Sequence, residues 1–225
     1  MKERLVVIGN GMAGIRAVEE LLKLAPDKYA ITVFGAEPLV NYNRILLSPV
    51  LAGEKKFEEI VLNDEAWYRD NGITLHKGQE VVTIDRRRHT VTASDGTEAP
   101  YDRLLLATGS NPFLLPVPGK DLPGVVGFRD LRDVETMLAA AGEFQHAVVI
   151  GGGLLGLEAA NGLLKHGMKV TVVHLPELLM ERQLDAPAAR MLKKSLEARG
   201  LEFVMQGVTE EIIGRKRVQG MRLKD

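Results

Sequence analysis

The segment VVIGGGLLGLEAA, residues 148–160, reads as a short apolar strand, a G-x-G-x-x-G turn and the opening of a helix. A second segment of the same design, LVVIGNGMAGIRA, occupies residues 5–17. In such a turn the first glycine permits the tight change from strand to helix and the second lets backbone approach a pyrophosphate. The third lets helix and strand pack closely. The positive end of the helix then lies where phosphates would bind. These glycines are Gly9, Gly11 and Gly14 in the first copy and Gly151, Gly153 and Gly156 in the second. One match of this kind is weak evidence, but two, each behind an apolar strand, predict two dinucleotide sites.

Aligning Gly9 with Gly151 extends the repeat. Apolar strands at 5–8 and 147–150 precede the turns, and AITVF (30–34) and KVTVV (169–173) follow the helices. The first helix carries an apolar stripe of Met12, Ile15, Val18 and Leu22 and closes at Pro26-Asp27. NGITLHKG (71–78) answers RGLEFVMQG (199–207), and each copy then enters short strands with a basic turn, DRRRHTV (85–91) and GRKRVQG (214–220). Chance does not readily place five such features in one order. The predicted fold is α/β: two Rossmann-like units, each a parallel sheet with an antiparallel β-meander. The first copy runs on into YDRLLLATGSNP (101–112), whereas the second stops at MRLKD, so the second unit is expected to be truncated. The expected division is 1–112 for the first unit, 113–145 for a linker and 146–225 for the incomplete second.

The composition narrows the function. Of 225 residues, 45% are hydrophobic, and 29 basic against 30 acidic side chains leave a net charge of −1. That balance points away from nucleic acid and membrane surfaces. The apolar run after Met1 is too short for a signal peptide, and Ala147 to Leu164 is interrupted by glycines, Glu158 and Asn161. A cytoplasmic location is the default expectation. There is no cysteine, which removes disulfides, zinc thiolates, iron–sulfur ligation and thiol redox chemistry within this sequence, and no metal site is expected.

A dinucleotide fold also expects an acid at the end of its second strand to hold a ribose. In the first copy Glu37 is the candidate, arriving late after Phe34-Gly35-Ala36; a solvated acid before Pro38 is the competing reading. In the second copy that position holds His174. An imidazole does not pair with a ribose as a carboxylate does and could tolerate a 2′-phosphate, so the nicotinamide cofactor is left as NAD(P).

VVIGNGMAG, LLLATGSNP and VVIGGGLLGLEAA, in this order and spacing, resemble the FAD-dependent pyridine-nucleotide oxidoreductases across the whole chain. That resemblance implies FAD in unit 1–112 and NAD(P) in unit 146–225, with hydride passing from NAD(P)H to FAD. It implies that Gly9, Gly11, Met12, Ala13 and Gly14 hold the FAD pyrophosphate and Glu37 its ribose. Arg44 and Ser48 would line the flavin, Val81 would meet the adenine, and Thr108 and Gly109 would close over the cofactor. Arg129 matches a flavin-contacting arginine, or else makes a surface salt bridge. Gly151, Gly153, Leu154, Leu155 and Gly156 would hold the nicotinamide dinucleotide, with His174 at its ribose. Glu158 would lie near the carboxamide, although a helix start favours an acid there on electrostatic grounds alone.

The thiol branches of this family carry a cysteine near residues 40–50, where this chain reads NYNRILLSPVL. Electrons must therefore go to another redox centre. Tyr42, Arg44, Leu47 and Ser48 form a Y-x-R-x-x-L-S pattern similar to reductases of small iron–sulfur proteins, with Pro49 where those carry lysine. LLMERQLD (178–185) is similar to the branch that feeds a siroheme and iron–sulfur part reducing nitrite. No catalytic nucleophile is expected, since the cofactors carry the chemistry. The alternatives are a rubredoxin or ferredoxin reductase and a non-catalytic nucleotide-binding fragment or scaffold. Oligomerisation of a full-length protein is left open.

Overall fold

The structure, a computed structural model, describes residues 2–224. Its first elements are β1 (Glu3–Ile8), α1 (Met12–Leu24), β2 (Tyr29–Gly35), β3 (Asn41–Tyr42), α2 (Leu47–Leu51) and β4 (Val61–Asn63). Then come α3 (Glu65–Asp70), β5 (Thr74–Lys77), β6 (Val81–Asp85), β7 (Thr90–Ala93), β8 (Glu98–Pro100) and β9 (Arg103–Leu106). The later elements are α4 (Leu131–Glu143), β10 (His146–Ile150), α5 (Leu154–Lys165) and β11 (Lys169–His174). They end with α6 (Ala186–Glu197), β12 (Glu202–Met205), β13 (Thr209–Gly214) and β14 (Val218–Leu223). Contacts divide the chain into two units, Met1–Arg44 with Phe57–Ser110 and Ile45–Lys56 with Asn111–Asp225.

In the first unit a parallel sheet of order β5-β2-β1-β9 has β1 near its middle, with Val7 opposite Val33 on one side and Leu105 on the other. Successive side chains of a strand face opposite ways. Leu5 and Val7 join Ile15 and Val18 of α1 and Tyr68 of α3 in one buried cluster. Val6 and Ile8 join Phe34, Val91 of β7, Ala99 of β8 and Tyr101 in another. Burial on both faces is why β1 is continuously apolar from Leu5 to Ile8 instead of alternating. The antiparallel sheet β6-β7-β8 thus covers one side of the parallel sheet and the helices cover the other.

The second unit repeats the plan with a parallel sheet β10-β11-β12, in which Val149 lies opposite Val172, and an antiparallel hairpin β13-β14. Helices α2 and α4 pack on α5. Residues 113–145 belong to this unit and are structured: Ile212 N–H donates to Pro118 O and Val218 N–H to Pro123 O, both at 2.9 Å. The stretch ends in α4, whose start is a reciprocal capping box of Asp130 and Asp133. The two-unit α/β architecture is the one expected from the repeat. Among the described residues no helix is long and apolar enough to cross a membrane, and no group of three or more potential metal ligands is found.

Candidate functional site

The two glycine turns are built alike. Gly9 has φ +118° and Gly151 φ +115°, a backbone that only glycine adopts without strain. Gly9 N–H donates to Phe34 O and Gly151 N–H to Val173 O, both at 2.8 Å, so each turn is sewn to the end of its second strand. A Cβ on Gly14 would lie 2.5 Å from Gly9 O, and one on Gly156 would lie 2.0 Å from Gly151 O. The protein itself therefore dictates the first and third glycines of each motif, apart from Gly151, where backbone conformation alone makes the demand.

The second glycines are different. Gly11 (φ −90°) and Gly153 (φ −84°) have ordinary backbone, and a Cβ on either would meet no protein atom within 4 Å. Nothing in the fold demands glycine there. What a side chain would obstruct is a group approaching from outside. Both glycines are also helix N-caps without a side-chain bond, and neither α1 nor α5 has an acid in its first turn. By contrast α3, α4 and α6 are capped by Asp64, Asp130 and Asp185. The amides of Met12, Ala13, Leu154 and Leu155 thus begin helices with neither a capping side chain nor an acid in the first turn, the arrangement that suits a pyrophosphate. Leu154 and Leu155 are themselves 57% and 52% exposed.

Around the first turn, a Cβ on Gly9 would lie 2.1 Å from Ala107 O and 3.1 Å from Thr108 N, so the Thr108-Gly109 turn after β9 abuts it. Gly109 has φ +72°. At the end of β2, Glu37 accepts hydrogen bonds from Tyr42 Oη at 2.7 Å and from Arg44 Nη2 at 2.5 Å, and the guanidinium lies 5.2 Å from the Tyr42 ring centre. Gly78 N–H donates to Glu37 O and Gln79 N–H to Gly35 O, which carries the chain past this acid toward Val81. Arg44 therefore sits with Glu37 in the first unit. Ser48 belongs to the second unit, where its hydroxyl donates to Glu158 Oε2 at 2.5 Å. Arg129 is there too, its backbone N–H donating to Asp133 Oδ2 at 2.7 Å just before α4.

Sequence reasoning missed what fills the middle of each turn. In the first, Asn10 Nδ2 donates to Leu39 O at 3.1 Å and Tyr68 Oη donates to Asn10 Oδ1 at 2.7 Å. Burial pushes the Tyr68 phenol up to about 12. Gly35 makes room, since a Cβ there would lie 2.8 Å from Asn10 Cβ. In the second turn the sizes are exchanged: Gly152 stands at the position of Asn10 and His174 at that of Gly35. A Cβ on Gly152 would lie 2.9 Å from His174 Cγ and 2.5 Å from Leu179 Cδ2.

His174, expected at a ribose, is only 6% exposed. Its Nδ1 accepts Gly152 N–H at 2.9 Å, which puts the proton of the neutral ring on Nε2. Nε2 faces Leu178 O at 3.1 Å and Glu181 Oε2 at 3.3 Å. Both ring nitrogens are engaged inside the protein. Met180, with φ +55°, returns an N–H to Gly152 O at 3.1 Å.

Two strand–glycine turn–helix units with these shared constraints define a protein with two dinucleotide-type sites. The chain belongs to the pyridine nucleotide-disulphide oxidoreductase family, whose profile matches residues 3–225. It is 54% identical over 224 residues to a nitrite reductase [NAD(P)H] of Bacillus subtilis (strain 168), covering 100% of this chain and 28% of that protein. It is 48% identical over 224 residues to an assimilatory nitrate reductase electron transfer subunit of the same organism, covering 100% of this chain and 29% of that one. Its structure is similar to that of an NAD-dependent persulfide reductase from A. fulgidus, with TM-score 0.89, 28% identity, and coverage of 98% of this chain and 42% of the other. The chain thus spans less than a third of the length of these two curated relatives.

Proposed function

We propose that this chain is the FAD- and NAD(P)-binding module of an NAD(P)H oxidoreductase that delivers electrons to a siroheme and iron–sulfur part for the reduction of nitrite. The observation carrying the cofactor reading is the pair Gly11 and Gly153, glycines that the fold does not need, at the uncapped starts of α1 and α5. The nitrite acceptor is supported by the names of the relatives, a nitrite reductase and a nitrate-reductase electron transfer subunit, and by the absence of cysteine from a chain whose family name speaks of disulphides. A cytoplasmic location, where reduced nicotinamide dinucleotide is made, is part of the proposal.

In this reading the turn at Gly9, Gly11 and Gly14, with the amides of Met12 and Ala13, holds the FAD pyrophosphate. Glu37, kept in place by Tyr42 and Arg44, takes a ribose hydroxyl, and the backbone at Val81, Thr108 and Gly109 encloses the cofactor. The second turn, Gly151 to Gly156 with Leu154 and Leu155, holds the nicotinamide dinucleotide. Glu158, oriented by Ser48, offers an acceptor to the carboxamide. Bound flavin and nicotinamide supply the hydride chemistry, and the protein's share is positioning and exclusion of water. Replacing Gly11 with valine tests the reading. The variant should fold by circular dichroism yet lose at least about tenfold in flavin affinity, because a side chain would block close backbone approach. Full flavin occupancy in Gly11→Val would overturn it.

A further inference from the structure

The segment after β11 is locked to the second glycine turn by a closed ring of hydrogen bonds. Gly152 N–H reaches His174 Nδ1, His174 Nε2 reaches Leu178 O, and Met180 N–H returns to Gly152 O. Leu179, between them, is fully buried and packs against Gly152. The residue that leaves this ring is Glu181. Its carboxylate lies 3.3 Å from His174 Nε2, with 39% of the side chain exposed. A dinucleotide fold places its ribose-reading acid at the end of the second strand. Here an imidazole occupies that position, and the nearest carboxylate named against it is that of Glu181, on its Nε2 side.

From this geometry we infer that Glu181 selects against a 2′-phosphate, making the second turn prefer NAD(H) to NADP(H); the inference rests on the nicotinamide reading of that turn. His174 acts as a positioning residue that sets the distance between turn and carboxylate. A carboxylate accepts the 2′-hydroxyl of NAD(H), whereas the 2′-phosphate of NADP(H) brings it a like charge. The other charged side chains in the same segment are Glu177, which adds to the repulsion, Arg182, exposed and next in sequence, which opposes it, and Asp185, which is tied to Ala188 N–H as the cap of α6.

The test is binding of NAD⁺ and NADP⁺ to the flavin-loaded protein, measured by calorimetry for the unaltered protein, Glu181→Gln and Arg182→Gln. The unaltered protein should bind NAD⁺ more tightly. Glu181→Gln should tighten NADP⁺ about fivefold or more and change NAD⁺ by less than about threefold, with flavin content unchanged, since the removed charge is partly exposed. The preference of the unaltered protein should shrink between 0.1 and 1 M salt, where the screening length falls from about 10 to 3 Å, and that of Glu181→Gln should not. An unchanged ratio in Glu181→Gln overturns the inference, and so does a ratio that moves only in Arg182→Gln. Failure of the unaltered protein to bind either dinucleotide is a different result: it removes the nicotinamide reading itself, and this inference with it.

Discussion

At the scale of single residues, the six motif glycines separate into those the protein needs and those it does not. Gly9 combines a positive φ with a Cβ position 2.1 Å from Ala107 O, so Gly9→Ala must shift backbone. A loss of about 1–3 kcal/mol is expected, the usual range for a strained backbone position. Gly11 has φ −90° and ψ 178° with open space around its Cβ. Gly11→Ala should leave stability unchanged or raise it by up to about 1 kcal/mol by restricting the unfolded chain. Urea denaturation of the flavin-free protein checks both, and equal destabilisation would show that Gly11 is structural after all. The glycine motif was legible in sequence because each of its demands is local. The exchange of Asn10 and Gly35 for Gly152 and His174 was not, because it pairs positions 22 to 25 residues apart whose only signal is reciprocal size. His174 accordingly looked like a ribose contact, whereas its burial and its bond to Gly152 become visible only with the strand and turn in place.

At the scale of elements, apolar stripes forecast α1 well, since Ile15 and Val18 are buried and Leu22 packs on the same cluster. Helix α5 is a different case. It buries Leu157, Ala159, Ala160, Gly162 and Leu163, and the small residues among them let α2 approach closely. Leu51 of α2 is fully buried, and a Cβ on Gly162 would lie 2.6 Å from its Cγ. His166 Nε2 approaches Leu51 O at 2.7 Å, and Lys165 pairs with Glu54. Sequence placed 45–56 with its neighbours because proximity along the chain was the only guide, while the contact surface is a glycine that helical propensity alone would disfavour. Gly162→Val should overpack this contact and cost about 1–3 kcal/mol. Gly142→Ala, in α4 with nothing within 4 Å of its Cβ, should instead be neutral or stabilising by up to about 1 kcal/mol. Thermal unfolding of the two variants distinguishes them, and a stabilising Gly162→Val would mean that α2 does not press on α5 as described.

For the whole molecule, the repeat raises the question of whether two turns serve two ligands or one turn is only architecture. The structure bears on this through its inequalities. Both copies keep the first and third glycines that any such turn requires, and both also keep a second glycine with no internal reason for it. Architecture alone would not preserve that residue twice. The surroundings have meanwhile diverged, with Glu37 held by Tyr42 and Arg44 in one unit and His174 with Glu181 in the other, as expected for two different nucleotides. In the flavin-loaded protein, Gly153→Val should stay yellow, because the first turn is untouched. Its flavin should bleach with NAD(P)H at least about tenfold more slowly at subsaturating cofactor, since a side chain at Gly153 meets the dinucleotide and not the fold. Dithionite, which needs no nucleotide site, should reduce the variant as fast as the parent. If Gly153→Val loses flavin while remaining folded, the assignment of the two turns is reversed. If bleaching by NAD(P)H is as fast as in the parent, the second turn carries no nicotinamide, and its similarity to the first is structural alone.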